Sequence, residues 1–279
     1  MPIHDQGYHR YRGERDRSGA AWQVIARAGI RTVLAQRKFL ALLLFAWGPF
    51  LVRAVQVYIA SNFQQASFLQ PKGETFREFL DQQGIFVFFV TIYVGAGLIA
   101  ADRRANALQI YLSKPLLRME YIGGKLAILM TFLLFVTLLP GLLLLVLQVL
   151  FSGSLDFLRQ NLYVIPAVVL ASLLRVFVAS FAMLALSALS KSTRYVAILY
   201  TGAIFFTDAM FLVLRLITNS TRVAWVSFSA NLENVTDVMF RQTPRYDTPV
   251  IVSVLVLAGL IAISLSVLER RVKGVEVVS

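Results

Sequence analysis

Charged residues interrupt several long apolar stretches of this sequence, and charges in such places commonly contact an ion, a substrate or one another. Arg175 lies near the middle of one stretch, Asp208 near the middle of the next, and Arg53 within the first. The two stretches that hold Arg175 and Asp208 are joined by a short linker, so they should form antiparallel neighbours. We therefore predict an ion pair between Arg175 and Asp208. The alternatives are contact with a substrate or ion in a polar path, and separate partners among water and backbone groups.

Two further arginines lie in apolar surroundings. Arg215 falls close to the end of its stretch, and we expect its guanidinium to extend to the polar headgroups. Arg53 follows a Gly-Pro pair that could bend a helix. Its side chain is therefore expected either to face an aqueous cavity or to extend outward along the helix.

The sequence offers few of the residues that catalysis or metal binding requires. It has no cysteine, and its only histidines, His4 and His9, lie in a polar leading segment. This argues against disulfides, thiolate metal sites and a histidine-based catalytic triad. A phosphate-binding loop is also missing, because Met119 replaces the required first glycine ahead of Lys125 and Leu126 replaces the Ser or Thr that should follow it. We predict no catalytic residue, no metal site and no cofactor in this chain.

The elements that carry the intramembrane charges are predicted to be transmembrane helices. Hydrophobic residues make up 58% of the 279 residues and charged residues 15%, whereas a typical soluble domain has about 45–50% and about 25%. A helix needs about 20 apolar residues to cross a bilayer. Suitable stretches lie at about 39–60, 82–101, 126–151, 162–190, 195–217 and 248–268. The predicted fold class is an all-α integral membrane protein with six transmembrane helices.

An even number of spans places both termini on one side of the membrane. Most of the 27 Lys and Arg residues fall in segments that would share that side with the termini, and the positive-inside rule assigns it to the cytoplasm. Basic residues beside membrane ends also attract anionic lipid. The formal net charge of +12 therefore indicates membrane lipids, and not nucleic acid, as partners.

The segments that flank the six spans are short. Residues 1–19 are predicted to form an unstructured cytoplasmic tail, residues 20–38 an interfacial amphipathic helix on the inner leaflet, residues 39–268 the transmembrane domain, and residues 269–279 a cytoplasmic C-terminal tail. A cytoplasmic extension of the first span is the alternative for residues 20–38.

A further helix is predicted at the outer surface, between the fifth and sixth spans. Four apolar residues recur there at helical spacing, and three polar residues should face elsewhere. The apolar residues are Phe228, Leu232, Val235 and Met239, and the polar residues are Asn231, Asn234 and Asp237.

A compact charged segment, AADRRANALQIYLSKPLLRMEYIGGKL at residues 100–126, separates the second and third spans. Leu108 and Leu112 share one helix face, and Pro115 ends the helix. A helix over residues 103–113 would be about 16 Å long, which is too short to be stable alone. It should therefore pack on a soluble partner or lie on the inner leaflet.

The residues of this segment resemble the first cytoplasmic loop of ABC type 2 exporter permeases. In that family an acidic residue closes the second span, a short coupling helix follows, and a Ser-x-Pro-x-x-Arg stretch leads through Gly-Lys into the third span. Here Asn106 stands where Gly is frequent in the family, and Asp102 where Glu is frequent. The residues that carry the resemblance are Ala101, Asp102, Arg103, Ala107, Leu108, Tyr111, Leu112, Ser113, Lys114, Pro115, Leu116, Arg118, Tyr121, Gly124 and Lys125.

The resemblance implies a permease, with residues 39–268 as its permease domain, whose ATPase is a separate cytosolic chain that binds ATP and Mg. Two permease subunits, identical or paralogous, would assemble with two ATPase subunits in a bacterial or archaeal cytoplasmic membrane. The helix over residues 103–113 would occupy a cleft of each ATPase. The implied coupling contacts are apolar at Leu108, Tyr111 and Leu112, and polar at Arg103, Arg104 and Arg118.

Three other functions remain open at this point. A secondary transporter driven by an ion gradient would use titratable groups near the middle of the membrane, for which Asp208 is the candidate. A scaffold could recruit a cytosolic ATPase without transport. A lipid-processing membrane enzyme would need clustered acids, histidines or a nucleophile with its base, whereas the acids here, such as Glu74, Glu78 and Asp81, are dispersed.

Overall fold

The computed structural model describes residues 21–63, 65, 70–107, 117–153 and 156–272. Regular secondary structure in these ranges is helical. Six helices are long and apolar enough to cross a membrane, as predicted: α2 (Arg37–Asn62), α3 (Gly73–Arg104), α4 (Arg118–Ser152), α5 (Val164–Leu189), α6 (Thr193–Thr218) and α8 (Val250–Arg271). Helices α1 (Ala21–Leu34) and α7 (Phe228–Met239) precede the first and last of them, and shorter helical turns lie at Asp156–Gln160 and Thr221–Val226. The chain is therefore an all-helical, multi-pass membrane protein.

Helix α5 forms the centre of the bundle. It packs against α3, α4, α6 and α8, and 61% of its most apolar window is buried, against 11% for α2 and 17% for α6 and α8. The apolar side chains that α2, α6 and α8 leave exposed are suited to contact with lipid.

Two of the spans are interrupted near prolines. In α4 the helix breaks at Thr137, between the segments Arg118–Val136 and Leu138–Ser152. Pro140 lies just after this break, and its ring removes a helical hydrogen bond and crowds the carbonyl of Val136. In α2 the break falls at Trp47, between Arg37–Ala46 and Gly48–Asn62, with a proline in the first turn of the second segment.

The two ends of the bundle differ in their connections. At one end α3 ends at Arg104 and α4 begins at Arg118, and we call this the loop end. At the opposite end, the far end, α3 begins at Gly73 and α7 lies between α6 and α8. The predicted coupling segment belongs to the loop end, and the predicted outer helix belongs to the far end.

Helix α1 is separate from the first span and packs on α4 at the loop end. The chain leaves the helical conformation at Gln36, whose φ of −88° and ψ of 112° are extended, so α1 is not a continuous extension of α2. Contact with α4 is close at Gly124, where an added Cβ would lie 2.8 Å from Ile25 Cβ and 3.0 Å from the Trp22 carbonyl oxygen. The absence of a side chain at Gly124 therefore allows the two helices to approach.

This contact gives a first prediction. Replacing Gly124 by Ala is expected to lower the free energy of unfolding by about 1–3 kcal/mol, because the backbone of α1 must move to admit the methyl group. Gly123→Ala is the matched control, since a Cβ at Gly123 meets nothing within 4 Å. Thermal unfolding of both variants in a neutral detergent checks the prediction, and equal midpoints for the two would contradict it.

Candidate functional site

Charged side chains from four parts of the chain meet at the far end of the bundle. They come from the start of α3, from α5, from α7 and from the segment between α7 and α8. We call this group the charged network, and its members are Glu74, Arg77, Asp81, Arg175, Glu233, Asp237 and Arg245.

Asp237 in α7 is the most deeply buried carboxylate of the charged network, with a side chain that is 0% exposed. Its Oδ1 accepts hydrogen bonds from Arg77 Nη1 at 3.1 Å and from Arg245 Nε at 3.1 Å. Its Oδ2 accepts one from the backbone N–H of Arg245 at 3.0 Å. Buried carboxylates require such partners, because an ion without them loses its hydration and gains nothing in return. Asp237 therefore joins α3, α7 and the segment before α8.

Asp81 in α3 bridges two arginines. Arg175 of α5 donates to one of its oxygens and Arg245 donates to the other. Arg175 also donates through Nη1 to the backbone carbonyl of Leu80 at 2.6 Å, and it is only 7% exposed. The partner of Arg175 is thus Asp81, and the predicted pair with Asp208 is wrong.

The error has a physical reason. Asp208 is satisfied by the chain around the start of α7, where the Ser227 hydroxyl donates to it at 2.6 Å and the Ser229 hydroxyl at 2.7 Å. The backbone N–H of Ser229 adds a third bond at 3.3 Å. Arg175 instead pairs with the carboxylate of Asp81 on α3, which lies outside the predicted second span. The predicted second span begins at residue 82, directly after Asp81, whereas α3 begins earlier, at Gly73.

Helix α7 enters the bundle more deeply than a surface helix would. At about 1.5 Å per residue, Asp208 lies roughly 15 Å along α6 from the Thr218 end, and Ser227 contacts it there. The extended backbone at Ser227, with φ of −84° and ψ of 132°, therefore lies well inside the bundle. Irregular backbone at such a depth is stable where protein surrounds it, and Ser227 is only 2% exposed.

Both the apolar and the polar residues of α7 pack in the protein. Phe228, Leu232, Val235 and Met239 belong to an apolar cluster with α5 and α8, and the three polar residues that face elsewhere are buried, with Asn231 1%, Asn234 0% and Asp237 0% exposed. Asn231 donates to the carbonyls of Trp225 and Ser227, and Asn234 donates to the Thr248 carbonyl and the Ser253 hydroxyl. The polar face of α7 is therefore held by hydrogen bonds to the bundle.

Tyr246 extends the charged network toward α6. Its hydroxyl donates to Glu233 at 2.7 Å, and burial together with this hydrogen bond raises the pKa of Tyr246 above its ordinary value. For Arg245, burial lowers the pKa but the bonds to Asp81, Asp237 and Glu233 outweigh it, so the pKa is raised. Arg245 therefore stays cationic and Tyr246 stays a hydrogen-bond donor near neutral pH.

A cavity of about 310 Å³ lies beside the charged network, between α3, α5, α6 and α7. Its polar lining consists of Asp81, Arg175, Asp208, Glu233, Ser229 and Tyr200, and its apolar lining includes Ile85, Phe88, Ile204, Phe205 and Phe228. Arg175 and Asp208 thus share this cavity without bonding to each other. The cavity combines charged groups with apolar walls, as many small-molecule sites do.

The other two intramembrane arginines are also placed by the structure. Arg53 donates to Glu78 at 3.0 Å and to Gln56 at 2.9 Å, and its side chain is 12% exposed. It is therefore held toward the far end by the start of α3. Arg215 is exposed near the end of α6, and its contact with headgroups stays a prediction.

At the loop end, α3 runs through Arg103 to Arg104 and then stops. Asn106 adopts a φ of +52°, the left-handed conformation that Gly and Asn accept most readily. A single helix over residues 103–113 is therefore interrupted near its start, which corrects the predicted bounds. Arg104 and Arg118 are exposed at the two sides of the loop. Leu108, Tyr111 and Leu112 lie outside the described residues.

The residues on both sides of the loop are tied to the bundle. Asp102 accepts from the Tyr121 hydroxyl at 2.7 Å and pairs with Lys125 at 2.7 Å, both on α4. Arg103 donates to the carbonyl of Ala188 near the end of α5. These contacts join the ends of α3, α4 and α5 at the base of the loop.

No protein-family model matches the chain, and a comparison with curated proteins finds no match. Evidence for function therefore comes from the structure of the chain itself, at the charged network with its cavity and at the loop end.

Sequence reasoning identified some members of these sites and missed others. It named Arg53, Arg175 and Asp208 because charges stand out against apolar residues. It treated Asp81 as a dispersed acid, and it gave Arg245 no role. A signal for Asp237 was present, since an acidic residue recurs on the same face as two asparagines in α7.

The contact at the loop end gives a second prediction. Asp102→Asn is expected to lower the free energy of unfolding by about 1.5–3 kcal/mol, because it leaves the Lys125 ammonium, whose side chain is 11% exposed, without a carboxylate. Asp102→Lys combined with Lys125→Asp should be more stable than either single reversal. Thermal unfolding in detergent measures both effects, and a double variant no better than the worse single one would argue against a direct pair.

Proposed function

We propose that this chain is the transmembrane permease subunit of an ATP-binding-cassette exporter. It would move its substrate across a bacterial or archaeal cytoplasmic membrane with energy from ATP that a separate cytosolic subunit hydrolyses. Both termini and the loop end would face the cytoplasm, and the far end would face outward. Helix α1, which packs on α4 at the loop end, would then lie at the inner leaflet.

The observation that carries this proposal is the anchoring of the loop at its base. The residues that resemble the exporter motif include both partners of the contact between Asp102 and Lys125, as well as Tyr121 and Arg103. Through them a displacement of the loop would be transmitted to α3, α4 and α5 together. Such rigid contacts are what a coupling segment needs in order to convert closure of an ATPase into movement of helices.

The transport step would use two copies of the permease, identical or paralogous, with one ATPase bound to each. ATP-driven closure would bring the two loops together and change the side of the membrane from which the substrate path is open. ATP and Mg would be bound by the partner subunit, and membrane lipids would surround α2, α6 and α8. Arg104 and Arg118, which are exposed beside the loop, would supply polar contacts to the ATPase.

A second function is favoured by the cavity at the far end. Asp208 lines it at depth inside the bundle, and an ion-gradient-driven secondary transporter would use a carboxylate in such a place. The two functions differ in their dependence on ATP and on a partner. A scaffold that recruits an ATPase without transport would share the partner but show no transport.

Affinity purification from native membranes tests the proposal. The tagged full-length chain is solubilised in a mild detergent, co-purifying proteins are identified by mass spectrometry, and ATP hydrolysis is measured on the eluate. A stoichiometric cytosolic protein that contains a phosphate-binding loop, together with ATPase activity, supports the permease. A chain that purifies alone and without activity would reject it and favour the gradient-driven transporter.

A further inference from the structure

The cavity beside the charged network carries an excess of negative charge. Three carboxylates, of Asp81, Asp208 and Glu233, line it together with one guanidinium, of Arg175. Arg175 and Arg245 neutralise Asp81, and Arg245 also lies 3.5 Å from Glu233. Within the part of the chain that the structure describes, Asp208 forms hydrogen bonds with serines but no salt bridge. Asp208 is therefore the carboxylate whose charge lacks a counter-ion.

Two hydroxyls and one backbone N–H donate to the oxygens of Asp208 and hold its carboxylate at the cavity. A carboxylate at this depth gains most from a cation that brings little water with it. Organic ammonium groups meet this condition better than a hydrated metal ion. Among residues 21–63, 70–107, 117–153 and 156–272, no group of three or more acidic or histidine side chains could hold a metal.

Aromatic rings provide the second element of an ammonium site. Phe88 lies with its ring centroid 5.9 Å from that of Phe205 and 6.0 Å from that of Tyr200, and all three side chains line the cavity. Aromatic faces attract organic cations, and the attraction strengthens where water is excluded. The cavity therefore offers a carboxylate and ring faces to one ligand.

A second, apolar cavity adjoins the first. It has a volume of about 280 Å³, lies between α5, α6 and α8, and shares Tyr200, Ile204 and Phe228 with the charged cavity. The remainder of its lining is almost entirely aliphatic, with Leu186, Leu189, Leu260, Ile263 and Val267 among its members. A ligand with a charged head in the first cavity could therefore place a hydrocarbon chain in the second.

From these observations we infer that the paired cavities bind an amphiphilic ammonium ion, with its charged group at Asp208 among the aromatic rings and its hydrocarbon chain between α5, α6 and α8. Two sources share this chemistry, namely a membrane lipid with an amine headgroup and a free amphiphilic amine. That the bound molecule is the exported substrate rests on the proposed function, whereas binding itself does not.

Binding of dodecylammonium to the purified full-length chain in a neutral detergent tests the inference. Dodecanol and dodecanoate, which carry the same chain with no charge or with a negative charge, are the competitors against radiolabelled dodecylamine. We expect the ammonium to bind at least about tenfold more tightly than the alcohol, and Asp208→Asn to remove most of this preference. Equal affinities of the amine and the alcohol for the unmodified chain would overturn the inference.

Asp247→Asn is the matched control for Asp208→Asn. Asp247 also accepts from a hydroxyl, that of Thr221 at 2.6 Å, but it is exposed and lies outside both cavities. The control should bind dodecylammonium as the unmodified chain does. Phe88→Leu provides an independent variant if Asp208→Asn fails to fold, since it removes a ring face but keeps apolar volume. Phe88→Leu should weaken the binding of dodecylammonium more than the binding of dodecanol. Equal weakening of both would count against the site.

Reconstitution separates the two sources of the ligand. Dodecylammonium binding is compared in nanodiscs of phosphatidylglycerol alone and in nanodiscs that also contain phosphatidylethanolamine. If dodecylammonium binds more weakly in the nanodiscs that contain phosphatidylethanolamine, the lipid competes for the site, and the site is assigned to an amine lipid. If its binding is unchanged, the site is assigned to a free amine. No ATPase is present in this assay, so a chain that binds the amine through Asp208 but recruits no ATPase would overturn the proposed function and leave the site in place.

Discussion

Replacing Asp237 by Asn is expected to lower the free energy of unfolding by about 3 kcal/mol, near the lower end of the range for a buried charge pair that loses one partner. The substitution keeps the size of the side chain but removes the negative charge between Arg77 and Arg245. The Arg77 side chain is 13% exposed, and among the residues that the structure describes it would keep Glu74 as its one carboxylate partner. Arg245, with 29% of its side chain exposed, can recover part of its hydration, which is why we place the loss at the lower end.

The effect of Asp237→Asn is measured as the temperature at which the detergent-solubilised protein loses its monodisperse elution. Asp247→Asn controls for loss of an acid at the far end, because Asp247 is exposed and forms hydrogen bonds with Thr221. We expect the control to remain within about 0.5 kcal/mol of the unmodified protein. If Asp237→Asn were as stable as the control, the charged network would not hold α3 and α7 together as the distances indicate.

The six spans could be predicted from sequence because hydropathy is a local property. Each span needs only its own apolar residues to be recognised, and all six predicted stretches correspond to helices of the structure. The bounds were less accurate, because polar residues at a helix end carry no such signal. Helix α3 begins at Gly73 and includes Glu74, Arg77 and Asp81, which hydropathy alone leaves outside the membrane.

The pairing of charges could not be predicted in the same way. Arg175 and Asp208 lie on consecutive helices, α5 and α6, and this proximity in sequence favoured an ion pair between them. The actual partner, Asp81, lies on a helix whose position depends on tertiary packing, as does the insertion of Ser227 and Ser229 beside Asp208. Several alternative partners were compatible with the sequence, and only the packed bundle selects one of them.

Helix α7 shows what a correct period leaves undetermined. The spacing of Phe228, Leu232, Val235 and Met239 predicted a helix, and the helix Phe228–Met239 is present. These apolar residues pack with side chains of α5 and α8. The polar residues Asn231, Asn234 and Asp237 are buried as well and form hydrogen bonds. The period therefore identifies the helix, but only tertiary packing buries both its apolar and its polar residues.

Asn106 connects the sequence motif with local structure. In the family that residues 100–126 resemble, Gly is frequent at the position of Asn106. In this structure Asn106 has a φ of +52°. Gly and Asn are the residues that enter this conformation at least cost. Asn106 therefore marks the point where α3 ends and the loop begins. The helical spacing of residues 101–112 had instead predicted a helix that continues through this position.

Replacing Leu108 and Leu112 together by Asp is expected to release the ATPase partner of the proposed exporter. These leucines come from sequence analysis alone, since both lie outside the described residues. Apolar anchors at the centre of a protein interface typically contribute about 2 kcal/mol or more each, so the double change should weaken association about a thousandfold. Recovery of the ATPase with the tagged chain, and the hydrolysis rate of the eluate, provide the measurement.

Two comparisons make this last prediction specific to docking. Leu117→Asp introduces the same chemistry at a described position beside the loop where the side chain is 67% exposed, and it should leave ATPase recovery unchanged. Asp102→Asn breaks the anchor to Lys125 beneath the loop, and it should leave recovery intact but reduce the transport obtained per ATP hydrolysed. Undiminished recovery with the double leucine variant, inserted normally in the membrane, would reject residues 103–113 as the docking element. The expected result is that the double variant loses the ATPase, whereas Asp102→Asn keeps the ATPase but transports less per ATP hydrolysed. The loop would then bind the ATPase, and the contacts at its base would transmit the movement to α3, α4 and α5.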